Sequence, residues 1–300
     1  MENQDNKTLQ NLFIEHANNS MEMISASDTP RVKQLRQEAL KRFIDNGFPT
    51  KKMEKWRNSR MIECVNESFN IDKIENKKLD FCCIIRELDT EVITLTNGQF
   101  TEESLRVLEN GIVIGSTRRA MQEYPELFEK YFGTCNINDN NGFYDINTAL
   151  WQDGFFIYAP KNAVGEKPIQ IIKIIDEENN PFIQTRNLII VETNAQLQII
   201  DCDDSIKEQS SFVNSYTEIF IGENAQLENY KLQNLNDNSS LLNTNTAKQL
   251  ANSRLQTHTI SFNGGKIRNN IHIDIDGEGS ECNLYGLYLV DKTQHVDNQV

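Results

Sequence analysis

The sequence predicts a mainly β fold in which a β-helix-like solenoid core follows an N-terminal helical and mixed α/β domain. Short strand-like runs recur from Gly154 onward, whereas helix-length amphipathic stretches are scarce there. The tetrapeptide Asn-Ala-Gln-Leu occurs twice, starting at Asn194 and Asn224, and each copy lies between two alternating apolar runs. Their separation of 30 residues is typical of stacked structural repeats.

The composition is that of a globular chain of 300 residues with a formal charge of −14. Binding to duplex nucleic acid or to an anionic membrane surface needs a basic surface, so the charge argues against both partners. The N-terminus shows no apolar core behind a basic stretch, and no run reaches the roughly 18 apolar residues that would span a bilayer. We therefore expect a cytoplasmic protein whose six cysteines are reduced thiols.

Two helices are predicted in the first 50 residues. The stronger one has Thr29 as its N-cap and Pro30 as its first residue, and it ends at Gly47. Its apolar face consists of Val32, Leu35, Ala39, Leu40 and Phe43. A helix from about Leu9 to Met23 is expected before it, with His16 as a surface or boundary residue rather than a ligand.

Residues 66–141 give a mixed pattern. The runs FCCIIREL (81–88) and EVITLTNGQF (91–100) predict strands, the second with a turn at Asn97-Gly98. The runs 101–111 and 116–133 predict helices. The Asn/Asp-rich run 135–147 predicts a loop, and we place the domain boundary within it, so that residues 1–140 form the N-terminal domain and residues 141–300 the β core.

Nine strand-like runs follow the boundary. They are FFIYAP, PIQIIKIID, NLIIVE, QLQIID, YTEIFIG, QLENYKL, RLQTHTISF, KIRNNIHIDIDG and CNLYGLYLV. A weak helix is predicted only at SSLLNTNTAKQLANS, residues 239–253.

The run IHIDIDG alternates three isoleucines with three polar residues, which predicts one buried and one solvated face. The polar residues are His272, Asp274 and Asp276. One imidazole and two carboxylates could also bind a divalent ion, and this metal face is the alternative to a merely soluble outer surface.

Three segments share the order strand, turn, small residue and strand. The small residues are Ala195, Ala225 and Ser280, and the inward leucines that follow them are Leu197, Leu227 and Leu284. A small residue at a corner lets successive coils approach closely, and the leucine fills the interior. This pattern favours a solenoid or stacked-sheet core over a closed barrel, although the hairpins of a β-sandwich share the same turn chemistry.

No nucleotide-binding, zincin or nucleophile-elbow motif is present. The cysteines form no CxxC or CxxxC pair, and the neighbours Cys82 and Cys83 would point to opposite faces of a strand. His258 is expected to face outward, and the carboxylate pairs Asp203-Asp204 and Asp274-Asp276 arise by chance among 44 acidic residues. We therefore assign no catalytic, cofactor-binding or metal-binding residue and predict that the chain is not an enzyme.

Three ordered stretches carry a more specific signal. They are GFPTKKMEKWRNSRM from Gly47, DINTALWQDGFFIYAPKNAVGEKPIQIIKI from Asp145, and GEGSECNLYGLYLVDKTQHVDNQ from Gly277. All three resemble motifs of the SufB/SufD family of iron–sulfur cluster assembly scaffolds, and the first favours the SufD branch. The matched positions of the first two stretches are Gly47, Phe48, Pro49, Thr50, Lys52, Glu54, Trp56, Asn147, Thr148, Ala149, Asp153, Gly154, Pro160 and Pro168.

The resemblance implies that the solenoid is a right-handed parallel β-helix. The family pattern continues past the third stretch with further coils, a Cys/His-containing segment and C-terminal helices that hold an ATPase partner. This chain ends at Val300, in mid-strand and without a cap, so we expect a truncated form or a fragment. His295 is not the histidine that the family uses near its partner interface.

The resemblance also implies a role as a scaffold subunit of a SUF-type iron–sulfur cluster assembly complex. Its partners would be a SufB-like subunit and a SufC-like ABC-type ATPase, with a homodimer through the β-helix as a further possibility. No cofactor is expected to bind this chain tightly; cluster assembly intermediates belong to the full complex, and contact with a reduced flavin is left open. Two alternatives remain: a carbohydrate-active β-helix enzyme and a self-assembling β-solenoid scaffold.

Overall fold

The computed structural model describes residues 2–65, 69–71, 88–100, 102, 104–135 and 141–300, with side chains from residue 9 onward. The helices are α1 (Glu2–Ile24), α2 (Pro30–Asn46), α3 (Met61–Cys64), α4 (Thr117–Glu123), α5 (Pro125–Tyr131) and α6 (Gly142–Leu150), and a 3-10 turn spans Glu54–Trp56. No helix among the described residues is long and apolar enough to cross a membrane.

The two N-terminal helices form where the sequence predicts them. The side-chain oxygen of Thr29 accepts a hydrogen bond from the amide of Val32, and Pro30 is the first residue of α2. Gly47 follows the helix at a φ of 65°, a conformation that glycine adopts without steric cost. Of the predicted apolar face, Val32, Ala39 and Phe43 are buried.

The segment after these helices departs from its prediction in two places. The predicted helix 101–111 is wrong: Arg106–Val107 is a short strand, β3, that pairs antiparallel with β4 (Val113–Ser116). Pairing with a neighbouring strand here overrides local helix propensity. The predicted loop 135–147 is also wrong from Gly142 onward, because Asn141 caps helix α6 by accepting a hydrogen bond from the amide of Phe143.

Other predictions for this segment are confirmed. Strands β1 (Glu91–Thr96) and β2 (Gln99–Phe100) form a hairpin whose turn residues, Asn97 and Gly98, both have positive φ. The predicted helix 116–133 forms as α4 and α5, which are separated at Tyr124 because Pro125 has no amide hydrogen to continue the helix. The predicted strand at 81–88 lies outside the described residues except for its last one.

The remaining chain is a parallel β-solenoid. Its strands are β5 (Phe155–Ala159), β6 (Ile169–Ile175), β7 (Phe182–Val191), β8 (Gln196–Ser205), β9 (Phe212–Ile221), β10 (Gln226–Asn234), β11 (Ser240–Gln249), β12 (Arg254–Asn263), β13 (Lys266–Ile275), β14 (Glu281–Tyr288) and β15 (His295–Gln299). Odd-numbered strands from β5 stack in one sheet and even-numbered strands from β6 stack in the other, so each pair of strands is one coil. The weak helix predicted at 239–253 is wrong, because residues 240–249 form β11 between β9 and β13.

Side chains alternate between the inside of the solenoid and its outer faces. On β10, Leu227, Asn229, Lys231 and Gln233 are buried, and the residues between them are partly exposed. In the cross-section of the coils, an apolar cluster that includes Ile171, Ile199 and Leu227 fills one edge of the interior. A second cluster, around Ile183, Val213 and Leu241, fills the opposite edge. Polar and charged residues occupy the space between the two clusters.

The repeated Asn-Ala-Gln-Leu segments are stacked corners of this solenoid, as predicted. Ala195 and Ala225 are both fully buried, and the amide of Gln226 donates to the carbonyl of Ala195 at 2.9 Å. Leu197 and Leu227 are paired in register. The small residue therefore lets adjacent coils approach closely while the leucine fills the core.

The asparagine of each repeat has a role that the sequence analysis missed. Asn162, Asn194, Asn224 and Asn252 all adopt left-handed φ angles between 56° and 65°. Their side chains form a ladder, in which the Asn194 amide donates to Asn162 at 2.8 Å and the Asn224 amide donates to Asn194 at 3.1 Å. Asparagine tolerates this backbone region better than other residues with a Cβ.

Two positions of the repeat differ from the predicted set. Leu255 continues the row of Leu197 and Leu227, and the next member of the row is Cys282 rather than Leu284. Leu284, two residues after Cys282, lies on the same inner face and is paired in register with Thr257. The corner at Asn252 was missed because Ser253 replaces the alanine, which removes the tetrapeptide while keeping a small residue.

The helices cover the outer face of the odd-numbered sheet. Phe13, Phe43 and Phe143 pack with Phe182 and Phe212, two rings that stack at 4.6 Å on neighbouring strands. Helices α4 and α5 pack further along the same face, against a group that includes Leu188, Ile190 and Phe220. The outer face of the even-numbered sheet has no such layer of described helices.

The corner ladder predicts a specific effect of substitution at Asn224. Both Asn224→Ala and Asn224→Gly remove the amide contact to Asn194, but only alanine places a Cβ at a left-handed φ. We expect the alanine variant to have the lower free energy of unfolding, by about 1 kcal/mol, in urea titrations. At exposed Asn283, on strand β14, the order should reverse because glycine weakens a strand. Equal stability of the two Asn224 variants would contradict the left-handed backbone conformation at this corner.

Candidate functional site

No disulfide joins the cysteines that the structure describes. Cys64 is buried beside the Ser240 hydroxyl at 3.2 Å, and Cys202 is also buried. Burial, together with the nearby Glu218 carboxylate, raises the pKa of Cys135 to about 12, so this thiol stays protonated at neutral pH. Cys82 and Cys83 lie outside the described residues.

The acidic and histidine candidates are likewise dispersed. Asp203 points into the solenoid, whereas Asp204 points outward and accepts a hydrogen bond from Asn234. His272 and Asp274 share the outer face of β13, and Asp276 forms an ion pair with Lys248 at 3.0 Å. Among the residues that the structure describes, no group of three or more His, Cys, Asp or Glu side chains could hold a metal ion.

The most unusual cluster is one that the sequence analysis missed, a charged quartet inside the solenoid formed by Lys173, Lys231, Asp201 and Asp203. The ammonium of Lys173 lies 2.7 Å from an Asp201 oxygen and 2.9 Å from an Asp203 oxygen. The ammonium of Lys231 lies 2.9 Å from Asp201 and 2.6 Å from Asp203. Two positive and two negative charges thus neutralise each other in a site almost closed to solvent.

Burial and charge pull the pKa values of this quartet in opposite directions. Burial alone would raise the pKa of Asp201, but the ammonium groups of Lys173 and Lys231 outweigh it and hold that pKa below its usual range. Burial would lower the pKa of Lys173, but the two carboxylates raise it above its usual range. Both shifts favour the ionised forms of Asp201 and Lys173 at neutral pH.

Uncharged polar residues continue the hydrophilic interior into later coils. Gln233 bonds to Asn269 at 2.7 Å and accepts from the Ser261 hydroxyl at 2.8 Å. Asn269 donates in turn to Asn298 at 2.9 Å. These hydrogen bonds connect β10, β12, β13 and β15 along the solenoid axis.

The motif that enters the solenoid is explained by its contacts. The amide of Asn147 donates to the carbonyls of Thr185 and Asn214, at 3.0 and 2.8 Å, and so fastens α6 to two strands. Asp153 accepts hydrogen bonds from the Ser116 hydroxyl and from the backbone amides of Arg118, on α4, and of Gly154. A Cβ atom at position 154 would lie only 2.1 Å from the carbonyl oxygen of Arg186, so only glycine fits there.

The first motif, residues 47–61, docks against the solenoid near strand β13. Trp56 is buried, its ring stacks on Phe143, and the Arg268 guanidinium lies 4.1 Å from the ring centre. Arg268 also pairs with Asp297 on β15 and donates to the carbonyl of Lys55 at 2.9 Å. Trp56 therefore anchors the segment that follows α2 against α6 and β13.

The outer face of the even-numbered sheet carries rows of equivalent side chains. The His258 ring stacks between the rings of Tyr230 and Tyr285 at 4.6 and 4.8 Å, which confirms its outward orientation. A nitrogen of His258 lies 2.9 Å from the Gln256 amide. The faces of the histidine ring are therefore engaged by neighbouring coils.

Chemically, this arrangement suits a rigid support better than a reaction centre. The buried carboxylates of Asp201 and Asp203 are committed to lysines, and the thiol of Cys135 is held protonated. The regular spacing of the coils instead presents a long, stiff surface whose exposed rows differ between its two sheets.

Comparison with known families gives this surface a context. Residues 4–171 match the family described as SufBD protein N-terminal region, which is more than half of the chain. The chain belongs to the SufBD family. Residues 174–300 match the SufBD core domain of SUF system FeS cluster assembly. Members of the SufBD family take part in iron–sulfur cluster assembly.

Individual relatives are similar over shorter stretches. An iron–sulfur cluster assembly SufBD family protein of Staphylococcus aureus strain MRSA252 is 34% identical over 131 residues, which is 43% of this chain and 28% of that protein. A SufBD family protein of Trieres chinensis is 31% identical over 172 residues, or 56% of this chain and 33% of that protein. The matched stretches thus span about a third or less of these relatives' lengths.

Breaking the quartet should destabilise the SufBD solenoid strongly. Lys231→Met leaves two buried carboxylates with a single lysine, and we expect the free energy of unfolding to fall by about 3–5 kcal/mol. Adding Asp203→Asn restores neutrality and should recover part of the loss. The exposed pair of Lys248 and Asp276 provides the control, since Lys248→Met should change little in the same urea titrations. A similar small effect at both lysines would contradict the buried quartet.

The quartet also predicts how stability depends on acid. Because the folded pKa of Asp201 is lowered, its contribution is fully present above the unfolded value near 3.8 and is lost as the pH falls through the folded value. The free energy of unfolding of wild type should therefore fall more steeply below about pH 4 than that of Asp201→Asn. Urea titrations from pH 7 down to pH 3 measure both slopes, and parallel slopes would show that Asp201 is not ion-paired.

Proposed function

We propose that this SufBD protein is a scaffold subunit, of the SufD type, in a cytoplasmic SUF-type iron–sulfur cluster assembly complex. It pairs with a SufB-like subunit and associates with a SufC-like ABC-type ATPase, which supplies the hydrolysis of ATP. The chain itself is not an enzyme in this proposal, and iron and sulfur are the cargo of the complex rather than a resident cofactor.

The observation that carries this proposal is the ordered match of the chain to both the N-terminal and the core region of the SufBD family. The GFPTKKMEKW motif, which favours the SufD branch, adds support because its tryptophan, Trp56, packs on Phe143 and Arg268.

The carbohydrate-active alternative receives no comparable support. A glycosidase needs two carboxyl groups that flank one substrate bond. Asp203 and Asp204 lie on opposite faces of β8, and Asp203 is engaged by two lysines. Asp276, the second member of the other pair, is ion-paired with Lys248.

Co-purification tests the proposed function. The full-length protein, tagged and expressed together with its genomic neighbours, is expected to retain both a SufB-like subunit and an ABC-type ATPase after washes at moderate salt, identified by mass spectrometry. A tagged acidic protein of similar size is the control for non-specific capture.

Recovery of neither partner would refute the scaffold proposal. A stable homodimer without partners, measured by light scattering, would favour the self-assembling alternative. Cleavage of an acidic polysaccharide by the purified protein would favour the carbohydrate-active one.

A further inference from the structure

Five asparagines of this chain are followed directly by glycine, the dipeptide in which an asparagine side chain is most readily converted to aspartate. They are Asn46, Asn97, Asn110, Asn141 and Asn263. In this reaction the backbone nitrogen of the glycine attacks the side-chain carbonyl carbon, Cγ, of the asparagine. Glycine permits the attack because it has no Cβ to shield that nitrogen. The structure separates one of the five pairs from the other four.

At two pairs the attacking nitrogen is already engaged. Asn46 is the last residue of α2, and the amide of Gly47 donates to a carbonyl of that helix at 2.8 Å. After Asn110, the amide of Gly111 donates to the carbonyl of Leu108 at 2.9 Å. Attack at either pair requires that this hydrogen bond first opens, and local opening costs free energy.

At two other pairs the asparagine side chain is held instead. The side-chain oxygen of Asn97 accepts a hydrogen bond from the amide of Asp176 at 2.8 Å. The side-chain oxygen of Asn141 accepts one from the amide of Phe143 at 3.1 Å. Both asparagines are buried, with 4% and 3% of their surface exposed. A side chain fixed in this way turns its Cγ toward the following nitrogen only after local opening.

Asn263, at the corner between β12 and β13, differs from these four in both respects. It is exposed, and the hydrogen bonds of its side chain are long ones to other side chains: Gln294 donates to it at 3.2 Å, and it donates to Asn234 at 3.4 Å. Among the described residues, none accepts a hydrogen bond from the amide of Gly264. Asn234 belongs to the preceding coil and Gln294 to the following one, so this corner is exposed with both neighbouring coils in place.

The fold requires the glycine that makes this pair reactive. Gly264 has a φ of 135°, and a Cβ atom at this position would lie 2.7 Å from a side-chain carbon of Ile267. The turn into β13 therefore excludes a larger residue, which would slow the reaction by shielding the nitrogen.

We infer that Asn263 is a site of spontaneous deamidation in the folded protein. The nitrogen of Gly264 loses its proton to hydroxide and bonds to Cγ of Asn263, ammonia leaves, and a succinimide ring forms. Water then opens the ring at either carbonyl and gives aspartate or isoaspartate. The overall reaction consumes one water and releases one ammonia, and it does not depend on the proposed function.

The product changes one corner of the solenoid. Loss of the side-chain nitrogen removes the donor to Asn234, which itself donates to the Asp204 carboxylate at 3.3 Å. The new carboxylate lies near that of Asp237, because Gln294 donates to both side chains. Isoaspartate also lengthens the backbone between β12 and β13 by one methylene group. Deamidation therefore adds negative charge to an acidic corner and weakens its contacts with the neighbouring coils.

Site-resolved peptide mapping tests this inference. The folded protein is kept in mildly alkaline buffer, and mass spectrometry follows the mass gain of deamidation separately at each of the five pairs. The same protein unfolded in urea is the comparison, because none of the pairs is restrained there. Asn263→Gln is the matched variant, since its longer side chain keeps the amide but removes the reactive spacing. Isoelectric focusing then reports whether an acidic form appears.

In the folded protein we expect Asn263 to react about tenfold faster than the other four asparagines, because those need local opening. In urea the five rates should converge, and folded Asn263→Gln should form no early acidic species. An equally fast reaction at another pair of the folded protein, or no reaction at Asn263, would overturn the inference. A ranking that persists in urea would overturn it as well, because the sequence rather than the structure would then cause it.

Discussion

The in-register stacking of parallel coils is the constraint on which the rest of this structure depends. Each inward position meets the equivalent position of the coils before and after it, at the spacing of neighbouring strands. A residue in one coil is therefore chosen by its row, as the Leu197, Leu227 and Leu255 row shows. The same constraint aligns the left-handed corner asparagines, because a shift by one residue would turn every side chain to the opposite face.

The row constraint also explains how four charges can be buried. Lys173 is in register with Asp203, and Lys231 is in register with Asp201, so two adjacent rows present opposite charges to each other on neighbouring strands. A single charged residue at any of these positions would be buried without an ion-pair partner, because the partners come from neighbouring coils. The quartet therefore favours the observed register, in which each lysine ammonium pairs with both carboxylates.

The features of the fold that could be predicted are those whose sequence pattern is local. Alternation, the Thr29 cap and the repeated tetrapeptide are local, and they correctly predicted strands, helix α2 and stacked corners. The quartet was missed because its residues are ordinary in sequence, and the pair Asp203-Asp204 was attributed to chance among 44 acidic residues. Only the register of β6 and β10 brings two lysines to Asp201 and Asp203. The predictions for residues 106–107 and 142–147 were wrong for related reasons. Pairing with a neighbouring strand determines the conformation of the first segment. In the second, the asparagine that caps helix α6 resembled a loop signal.

A repetitive scaffold also limits where partner recognition can be encoded. Rows on the solenoid offer the same spacing at every coil, so a partner that read only those rows could bind in several registers. Discrimination between registers must come from features that occur once. The helical cover on the odd-numbered sheet and the contact of Trp56 with Arg268 on β13 are such features.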